Sequence, residues 1–285
     1  MTSEREAERD LADRTLVMSG GSRGIGLAIA LGAAKLGANV TLLAKTGEPH
    51  PKLPGTVHTA VAEIEAAGGK GLAVVGDVRN EEDVQRAVDA AVERFGGVDI
   101  CVNNASAIAV EPTEQLSAKK FDLMQQINVR GTFLLTKACL PHLRQSSNPH
   151  VVTLAPPLNM NPYWLGVHPS YTLSKYGMTL LSLGWAAEFA SERGGAGIGF
   201  SCLWPQTYIA TSAVSNLSDG DTLMSASRSP DIMADAAVAI LTKPAAEANG
   251  QCYIDADVLT ASGVTDLSRY GGGDDPMWDI FLDKP

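Results

Sequence analysis

The sequence has little of several features that mark particular protein classes. It contains four cysteines, which are scattered without metal-ligand spacing: Cys101, Cys139, Cys202 and Cys252. We therefore expect no disulfide, no zinc site and no other metal. The net charge is −10, and no run of lysine and arginine is present. This charge argues against nucleic acid or an anionic membrane surface as the main partner, although a local basic pocket could still hold phosphate.

Long apolar runs are also absent. Residues 1–14 are charged and resemble no secretory signal, and no segment offers the roughly 20 apolar residues of a membrane span. The last residues, Leu282 to Pro285, do not form a peroxisomal address. We expect a cytoplasmic protein. Residues 1–11 are predicted to be a flexible tail, residues 12–260 one dinucleotide-binding catalytic domain, and residues 261–285 a C-terminal extension.

What the chain does contain is an alternation of short apolar runs with segments of helical period. Seven runs are rich in β-forming residues: Leu16 to Met18, Val40 to Leu43, Leu72 to Val75, Val98 to Val102, Val151 to Leu154, Ile198 to Leu203 and Cys252 to Ile254. Such alternation is typical of a parallel sheet with crossover helices. It predicts an α/β fold with a single doubly wound Rossmann domain, about seven parallel strands and helices on both faces.

One predicted helix and one predicted loop are especially clear. Between Val84 and Phe95, apolar residues recur at spacings of three and four, with Asn80 placed to cap this helix and Gly96 to end it. The proline-rich segment from Glu48 to Gly55 is predicted to be a surface loop.

The strongest motif runs from Ser19 to Gly26, between a predicted strand and a predicted helix. Gly20, Gly24 and Gly26 remove side chains where the backbone must turn sharply and approach a pyrophosphate, whose charge the helix N-terminus favours. Glycine-rich turns without a ligand are common, so the motif gains its weight from its position in the fold. It predicts nucleotide binding, with Ser22, Arg23 and Ile25 also in contact with the cofactor.

The residues after the second run bear on which nucleotide binds. A carboxylate there would accept hydrogen bonds from the ribose of NAD, but this chain has Lys45, and Arg23 projects from the glycine loop nearby. Two cations without a carboxylate favour NADP over NAD; the alternative is that both are solvated surface charges. Asp77, after the third run, is predicted to accept a hydrogen bond from the adenine amino group, unless it is only a turn residue.

A pair of polar residues begins a long helical segment. Tyr171 and Lys175 are four residues apart, which places the phenol and the ammonium on one helix face. The cation is expected to lower the pKa of the phenol, so that it can exchange a proton with an alcohol or carbonyl. Such pairs occur often by chance, and their order after the glycine loop and five strands is what makes this one informative.

These motifs together carry a family resemblance. Over about residues 12–260 the chain resembles the short-chain dehydrogenases/reductases. The matching motifs are Gly20-x-x-x-Gly24-x-Gly26, Asn103-Asn104-Ala105, Asn128-Val129-x-Gly131, Tyr171-x-x-x-Lys175 and Trp204-Pro205. The runs 44–54 and 156–159 resemble the hydroxysteroid dehydrogenase-like subfamily. Some relatives append a sterol-carrier domain, and we expect this chain to lack one.

The resemblance implies a role for each matching residue. Tyr171 would be the acid/base, Lys175 would hold the nicotinamide ribose and tune Tyr171, and Asn128 would anchor a water in a proton relay. Asn128 could instead be a structural amide. The cofactor would also be bound by four further residues: Val78, Asn104, Ala105 and Pro205.

Three departures from the family pattern matter. Pro156 follows the fifth run, where the family usually has a serine that hydrogen-bonds the substrate oxygen, and proline can donate no such bond. Loss of one preorganised donor costs about 3 kcal/mol in the transition state. Possible replacements are Asn159, Asn161 and Ser170. In addition, Ser106 and Gln206 stand where the family usually has glycine.

Two function classes remain open at this point. The first is an NADP-dependent oxidoreductase that interconverts the carbonyl and alcohol of an apolar small molecule, such as a lipid, terpenoid or steroid-like compound. Leu158, Met160, Tyr163, Trp164 and Leu165 would form apolar walls, or else pack against a neighbouring subunit, and residues 207–228 would form a lid. The second class is a low-turnover NADP-binding scaffold or sensor, favoured by Pro156. By resemblance, the long helical segments would pair in a homodimer or homotetramer.

Overall fold

A seven-stranded parallel sheet forms the centre of the molecule. The computed structural model describes residues 11–49, 54–192, 197–216 and 219–284. The strands are β1 Thr15–Ser19, β2 Asn39–Ala44, β3 Lys70–Val75, β4 Ile100–Asn103, β5 His150–Thr153, β6 Gly199–Trp204 and β7 Gln251–Ile254. They pair in the order β3-β2-β1-β4-β5-β6-β7 and are all parallel. The predicted fold class and strand runs are confirmed.

Helices connect the strands and cover the sheet. They are α1 Gly24–Lys35, α2 Val57–Ala66, α3 Glu81–Phe95, α4 Ala118–Met124, α5 Gly131–Leu143, α6 Pro162–Val167, α7 Pro169–Glu188, α8 Ser212–Ser215, α9 Gly220–Ser225, α10 Asp231–Leu241, α11 Ala245–Ala248 and α12 Asp255–Ala261. A π-helical turn, Gln125–Arg130, joins α4 to α5, and a short 3₁₀ turn spans Ser268–Tyr270. Among the described residues, no helix combines the length and apolar character needed to cross a membrane.

The alternation of side chains along β1 separates two cores. Leu16 and Met18 pack on one face with residues of α1 and α10, including Ile29 and Met233. Val17 points to the opposite face, into a cluster with residues of α3, α5 and α7. Because successive strand residues face opposite sides, a run that is buried throughout needs helices on both faces. This doubly covered arrangement is the predicted one.

The helix boundaries follow the capping residues. The Asn80 side chain accepts a hydrogen bond from the Asp83 backbone N–H at 2.9 Å, and α3 ends at Gly96, where φ is 90°. The prediction for this helix is confirmed. Thr56 caps α2 through the Thr59 N–H at 3.1 Å. Residues 50–53 of the predicted proline-rich loop lie outside the described residues, as do residues 1–10 of the predicted tail.

The strand order reverses between β1 and β4, and this reversal positions the site. The chain passes from β1 to β2 and β3 on one side and from β4 to β5, β6 and β7 on the other. Crossover connections on either side leave a crevice at the carboxyl ends of β1 and β4, which is where open α/β sheets bind ligands. The glycine loop after β1 and the Asn-Asn-Ala turn after β4 both lie at this edge.

The C-terminal residues fold back onto this same edge. The Tyr208 N–H donates to the Met277 carbonyl at 2.9 Å, and the Asp279 N–H donates to the Gln206 carbonyl at 2.9 Å. Phe281 is 2 % exposed and lies at the centre of an aromatic cluster. The segment after β7 therefore belongs to the same packed unit as the sheet.

Candidate active site

The glycine loop and the ends of β2 and β3 enclose an elongated cleft of about 500 Å³. Gly20 and Gly24 have φ of 77° and 57°, which L side chains rarely adopt. A Cβ on Gly20 would lie 2.9 Å from the Ala105 Cα, and one on Gly26 would lie 2.4 Å from the Asn104 Nδ2. Side chains are thus excluded where the loop crosses the sheet edge, and the backbone forms the floor of the cleft.

The turn after β4 braces the glycine loop. The Asn104 side-chain amide donates to the Ser19 and Gly20 carbonyls at 3.1 and 2.8 Å, and the Ala105 N–H donates to the Ser19 hydroxyl at 3.2 Å. Asn104 and Ala105 were predicted to lie along the cofactor. In the structure they line the cleft and also fix the shape of the glycine loop.

The cleft has the features that a dinucleotide requires. Helix α1 begins after Arg23 with no side-chain cap, so its first N–H groups are free to bind an anion. The Arg23 Nε is buried and has no hydrogen-bond partner among the described residues. The residues predicted to bind cofactor that line the cleft are Gly20, Ser22, Arg23, Gly24, Ile25, Gly26, Lys45, Asp77, Val78, Asn104 and Ala105. The site therefore fits a nicotinamide dinucleotide.

Asp77 is held by two cations at the β3 end of the cleft. Arg79 donates to both carboxylate oxygens through Nε at 3.0 and 2.9 Å, and Lys45 Nζ lies 3.3 Å from Oδ2. The hydrogen bond from Arg79, together with both positive charges, lowers the pKa of Asp77 to about 2, against the opposing effect of burial. Sequence reasoning missed Arg79, because its role depends on a turn that folds it back onto Asp77.

A second, smaller cavity of about 250 Å³ adjoins the cleft. Both spaces share Ile25, Asn104 and Ser106 in their walls. Tyr171, Lys175 and Pro205, predicted as site residues, line the second cavity. The fold thus brings the acid/base pair and the glycine loop to adjoining spaces, although they are far apart in sequence.

Lys175 is buried and held in a fixed direction. Its Nζ donates to the Leu154 carbonyl at 2.7 Å and lies 5.0 Å from the centre of the Trp204 ring. Burial lowers the pKa of Lys175 to about 8, while the carboxylate of Asp279 acts in the opposite direction. The carbonyl that follows β5 therefore orients the ammonium.

Tyr171 is also buried, and its pKa is shifted in the direction opposite to the one expected. Burial raises its pKa well above the ordinary value, the negative charge of Asp279 raises it further, and a hydrogen bond with the Ser106 hydroxyl lowers it. The expected lowered pKa is wrong for this arrangement, because burial is the largest influence on the phenol. The phenol is protonated throughout the neutral range.

Asn128 lies in the π-helical turn and is fully buried. Its Oδ1 accepts from the Ala107 N–H at 2.7 Å, and its Nδ2 donates to the Ala107 carbonyl and the Ser174 hydroxyl, both at 2.9 Å. These bonds match the structural-amide interpretation. They fix Ala107 and, through it, the adjacent Ser106. A role in a water relay stays a prediction, and Asn128 does not line either cavity.

Pro156 supplies no hydroxyl to the second cavity. Pro156 is buried, and its carbonyl accepts a hydrogen bond from the Thr179 hydroxyl at 2.7 Å. The proposed replacements, Asn159, Asn161 and Ser170, do not line the second cavity. Asn159 and Asn161 instead bond to Asp283. Ser106 does line it and bonds to Tyr171.

The residues predicted to form apolar walls do not line the second cavity. Met160 and Tyr163 are 67 % and 61 % exposed, and Trp164 packs against Phe281 instead of the cavity. Within this loop Asn161 caps α6, through the Tyr163 N–H at 3.0 Å. Apolar contacts to the cavity come from elsewhere, namely from Ile108, Val110, Leu154, Trp204, Ile209, Val214, Met233 and Ile280.

Residues 207–228 do lie over the site, as predicted for a lid. Thr211 and Ala213 line both cavities, and a Cβ on Gly24 would lie 3.3 Å from the Thr211 methyl. Residues 217–218 of this segment lie outside the described residues. The site also includes residues that sequence reasoning missed, among them His168 and Asp279. Nothing in the local sequence marks them, since they reach the cavity only through tertiary folding.

Comparison with known proteins agrees with this geometry. The family model described as short chain dehydrogenase matches residues 14–221. The chain belongs to the short-chain dehydrogenase family. Members of this family are NAD(P)-dependent oxidoreductases. The match covers the sheet from β1 to β6, with the glycine loop, Tyr171 and Lys175.

Individual relatives are similar over most of the chain. Hydroxysteroid dehydrogenase-like protein 2 of Danio rerio is 51% identical over 275 residues, covering 96% of this chain and 65% of that protein. The Homo sapiens protein of the same name is 46% identical, covering 96% of this chain and 64% of that protein. The chain thus spans somewhat less than two thirds of these relatives. Within the family, its similarity is to the hydroxysteroid dehydrogenase-like group.

Solved structures share the same fold. A putative dehydrogenase from Xanthomonas campestris is 51% identical with a TM-score of 0.90, covering 96% of this chain and 100% of that one. An NADH-dependent reductase, A1-R', complexed with NAD, is 25% identical with a TM-score of 0.68, covering 87% of this chain and 96% of that one.

Proposed function

We propose that the protein is an NADP-dependent oxidoreductase that interconverts the carbonyl and alcohol of an apolar small molecule. The observation that carries this proposal is the convergence of Tyr171, Lys175 and Ser106 on a largely apolar cavity adjoining the glycine-loop cleft. A nicotinamide cofactor bound in the cleft supplies or accepts hydride at the substrate carbon. The remaining chemistry falls to side chains of this chain.

Tyr171 handles the proton in this scheme. Its hydroxyl donates a proton to the carbonyl oxygen on reduction, and the Ser106 hydroxyl, which in this structure donates to Tyr171, turns to donate a second hydrogen bond to that oxygen. Lys175 places a positive charge beside the phenol and orients the cofactor ribose. Asn128 holds Ala107 and so keeps Ser106 in position. Ser106 thereby replaces the donor that Pro156 lacks.

The electrostatics favour reduction over oxidation. Burial raises the pKa of Tyr171, so the phenol carries the proton that reduction consumes. Oxidation of an alcohol needs the phenolate, which this environment disfavours. Reduction of a carbonyl is therefore the direction we propose near neutral pH.

NADP is proposed over NAD. Lys45 and Arg23 line the same end of the cleft, and no carboxylate follows β2. Lys45 is 61 % exposed and pairs with Asp77, so part of its charge is already compensated. An adenosine 2′-phosphate would bind between the two cations.

A second candidate function is supported by Pro156. A low-turnover NADP-binding scaffold or sensor would need the glycine cleft but no donor to the substrate oxygen. In that case Ser106 would serve only to hold Tyr171. The two functions differ in whether substitution of Tyr171 changes any measured turnover.

A second copy of this chain is the proposed partner. Phe133, Leu173 and Leu180 are exposed on α5 and α7, at 42 %, 57 % and 58 %. Helices that present apolar side chains to solvent are typical of subunit interfaces. Analytical ultracentrifugation of wild type and a Phe133→Glu, Leu180→Glu double variant tests this, and an unchanged mass would exclude this face. A cytoplasmic location stays a prediction.

The deciding experiment compares wild type with Tyr171→Phe on a panel of apolar aldehydes, ketones and alcohols with NADPH or NADP. We expect wild type to reduce one or more carbonyls and the variant to lose at least about a hundredfold in kcat, because the proton donor is gone. Dissociation constants for NADPH should agree, which shows that the fold is intact. Equal turnover by the two proteins would exclude the proposed role of Tyr171, and binding without turnover would favour the scaffold.

A further inference from the structure

Asp279 places a carboxyl group in an otherwise largely apolar cavity. It lines the cavity with Ile108, Val110 and Ile280. The proposed reduction uses Tyr171, Lys175 and Ser106 and gives this carboxyl no task. A carboxyl in such surroundings is costly, and the Ile280 N–H and the charge of Lys175 offset only part of that cost, which leaves a hydrogen-bonding position for a ligand.

The backbone around Asp279 is fixed on both sides. Its N–H donates to the Gln206 carbonyl at 2.9 Å, and the Trp204 indole donates to the Ile280 carbonyl at 3.1 Å. The next residue, Phe281, is anchored in the aromatic cluster. The side chain is therefore held at one point of the cavity wall by the packed C-terminal segment, as a preorganised recognition group must be.

The carboxyl has an unused hydrogen-bonding oxygen. Oδ1 accepts from the Ile280 N–H at 2.7 Å, which is a local bond. Among the described residues, Oδ2 has no hydrogen-bond partner, and Asp279 forms no ion pair. A ligand in the cavity would meet an oxygen that can accept a hydrogen bond.

Burial, more than the neighbouring charges, keeps this carboxyl near its protonated form. Burial raises the pKa of Asp279 to about 8, Asp255 raises it further, and the Ile280 N–H and Lys175 lower it. Tyr171 and Tyr208 also face this carboxylate. At neutral pH a mostly neutral carboxyl can both accept and donate a hydrogen bond, which suits a hydroxyl better than an anion.

We propose that Asp279 binds a hydroxyl group of the substrate, remote from the reacting carbon, and so selects apolar carbonyl compounds that carry a second hydroxyl. This specificity role rests on the proposed reductase function. It goes beyond it by naming the polar group that the substrate carries and the residue that recognises it.

The test uses rigid ketones that differ in one group. The probes are 1-indanone, its 4-, 5- and 6-hydroxy derivatives, and the corresponding methoxy compounds, which keep the oxygen but cannot donate. Wild type is expected to favour at least one hydroxy compound over both its parent and its methoxy analogue by about tenfold in kcat/KM, the effect of one hydrogen bond to a buried carboxyl. Dissociation constants from quenching of the protein's tryptophan fluorescence, with NADP bound, should follow the same order.

Variants assign that preference to Asp279. Asp279→Leu should abolish it, and Asp279→Asn, which retains an acceptor oxygen, should keep part of it. Asp283→Asn is the matched control, since Asp283 lies in the same segment but bonds to Trp164 outside the cavity and should leave the preference unchanged. If Asp279→Leu does not fold, Asp279→Ala decides, and a full wild-type preference in it would overturn the proposal.

Other outcomes separate this inference from the reductase function. No preference in wild type, in binding or turnover, would overturn the role of Asp279 while leaving any measured reduction intact. A loss of NADP affinity in Asp279→Asn, with an unchanged ketone preference, would assign Asp279 to the cofactor instead. Absence of turnover, with the hydroxyl preference retained in binding, would overturn the reductase function alone.

Discussion

The ring of Phe281 stacks against the ring of Tyr171, with centroids 6.1 Å apart and planes inclined by 24°. One residue is proposed as the proton donor, and the other lies in the segment that follows the last strand. Phe281 also contacts Tyr176 and Trp204, with ring centroids 5.3 and 5.8 Å away. The C-terminal segment therefore supports the wall behind the proposed acid and belongs to the active site.

Removal of this ring should destabilise the protein. Phe281→Ala leaves a cavity in the aromatic cluster, and we expect the free energy of unfolding to fall by about 3–5 kcal/mol in denaturant titrations. Met277→Ala is the control, since Met277 lies in the same segment but is 39 % exposed. Equal losses in the two variants would mean that Phe281 is not a packing anchor.

The glycine loop should tolerate no side chain at Gly26. A Cβ there would lie 2.4 Å from the Asn104 amide, so Gly26→Ala displaces the bond that braces the loop. We expect a loss of about 1–3 kcal/mol in stability and weaker NADP binding in fluorescence titrations. Gly97→Ala is the control, because nothing lies within 4 Å of a Cβ at that position. Undiminished binding by Gly26→Ala would argue against the cleft as the cofactor site.

Lys45 should distinguish the two nicotinamide cofactors. Lys45→Asp removes a cation from the proposed phosphate site, and we expect the dissociation constant for NADP to rise about 10- to 100-fold, with a much smaller change for NAD. Lys70→Asp provides the control, since Lys70 begins β3 at the opposite end of that strand and is 64 % exposed. Similar losses for both cofactors would remove Lys45 from the phosphate site.

Ser106 should contribute to the chemical step. Ser106→Ala removes the hydroxyl bonded to Tyr171, and we expect kcat for carbonyl reduction to fall about a hundredfold, as for loss of one oxyanion donor. NADPH affinity should not change. The control is Ser170→Ala, which should retain full activity, because Ser170 lies on α7 next to Tyr171 but does not line the cavity. Full activity of Ser106→Ala would leave the missing donor unaccounted for.

The rate of carbonyl reduction should fall as the pH rises above neutral. Lys175 is charged below its pKa of about 8 and loses its proton above it, so kcat/KM should decline as pH rises through about 8. Tyr171 stays protonated over this range because burial raises its pKa. Asp279 also titrates near 8, and Asp279→Asn separates the two: a decline that persists in this variant belongs to Lys175. Lys175→Arg, which stays charged, should lack the decline.

Much of the fold could be predicted because its signals are local. The seven apolar runs correspond to the seven strands, and α3 begins after Asn80 and ends at Gly96 as predicted. The glycine loop could be recognised for the same reason, since a sharp turn between a strand and a helix needs particular residues at particular spacings. The spacing of Tyr171 and Lys175 correctly predicted that both lie on one helix.

The candidate site could be predicted only in part. The cofactor residues cluster near β1, β2, β3 and β4, whose carboxyl ends meet at one edge in any doubly wound sheet. The walls of the second cavity could not be predicted. The aromatic loop around Tyr163 was predicted as a wall, but Met160 and Tyr163 are exposed and Trp164 packs against Phe281. The pKa of Tyr171 was also misjudged, because it is raised chiefly by burial, which exists only in the folded site.

By itself, the sequence determined the sheet, its helices, the glycine cleft and the family, since each depends on periodicity or on motifs of neighbouring residues. Only the tertiary structure decided that Ser106 meets Tyr171, that Asp279 lines the cavity and that Phe281 packs against Tyr171. These contacts join residues more than sixty positions apart, and no local pattern encodes the direction in which a terminal segment returns. Their strength depends on burial, which exists only once the whole chain has packed.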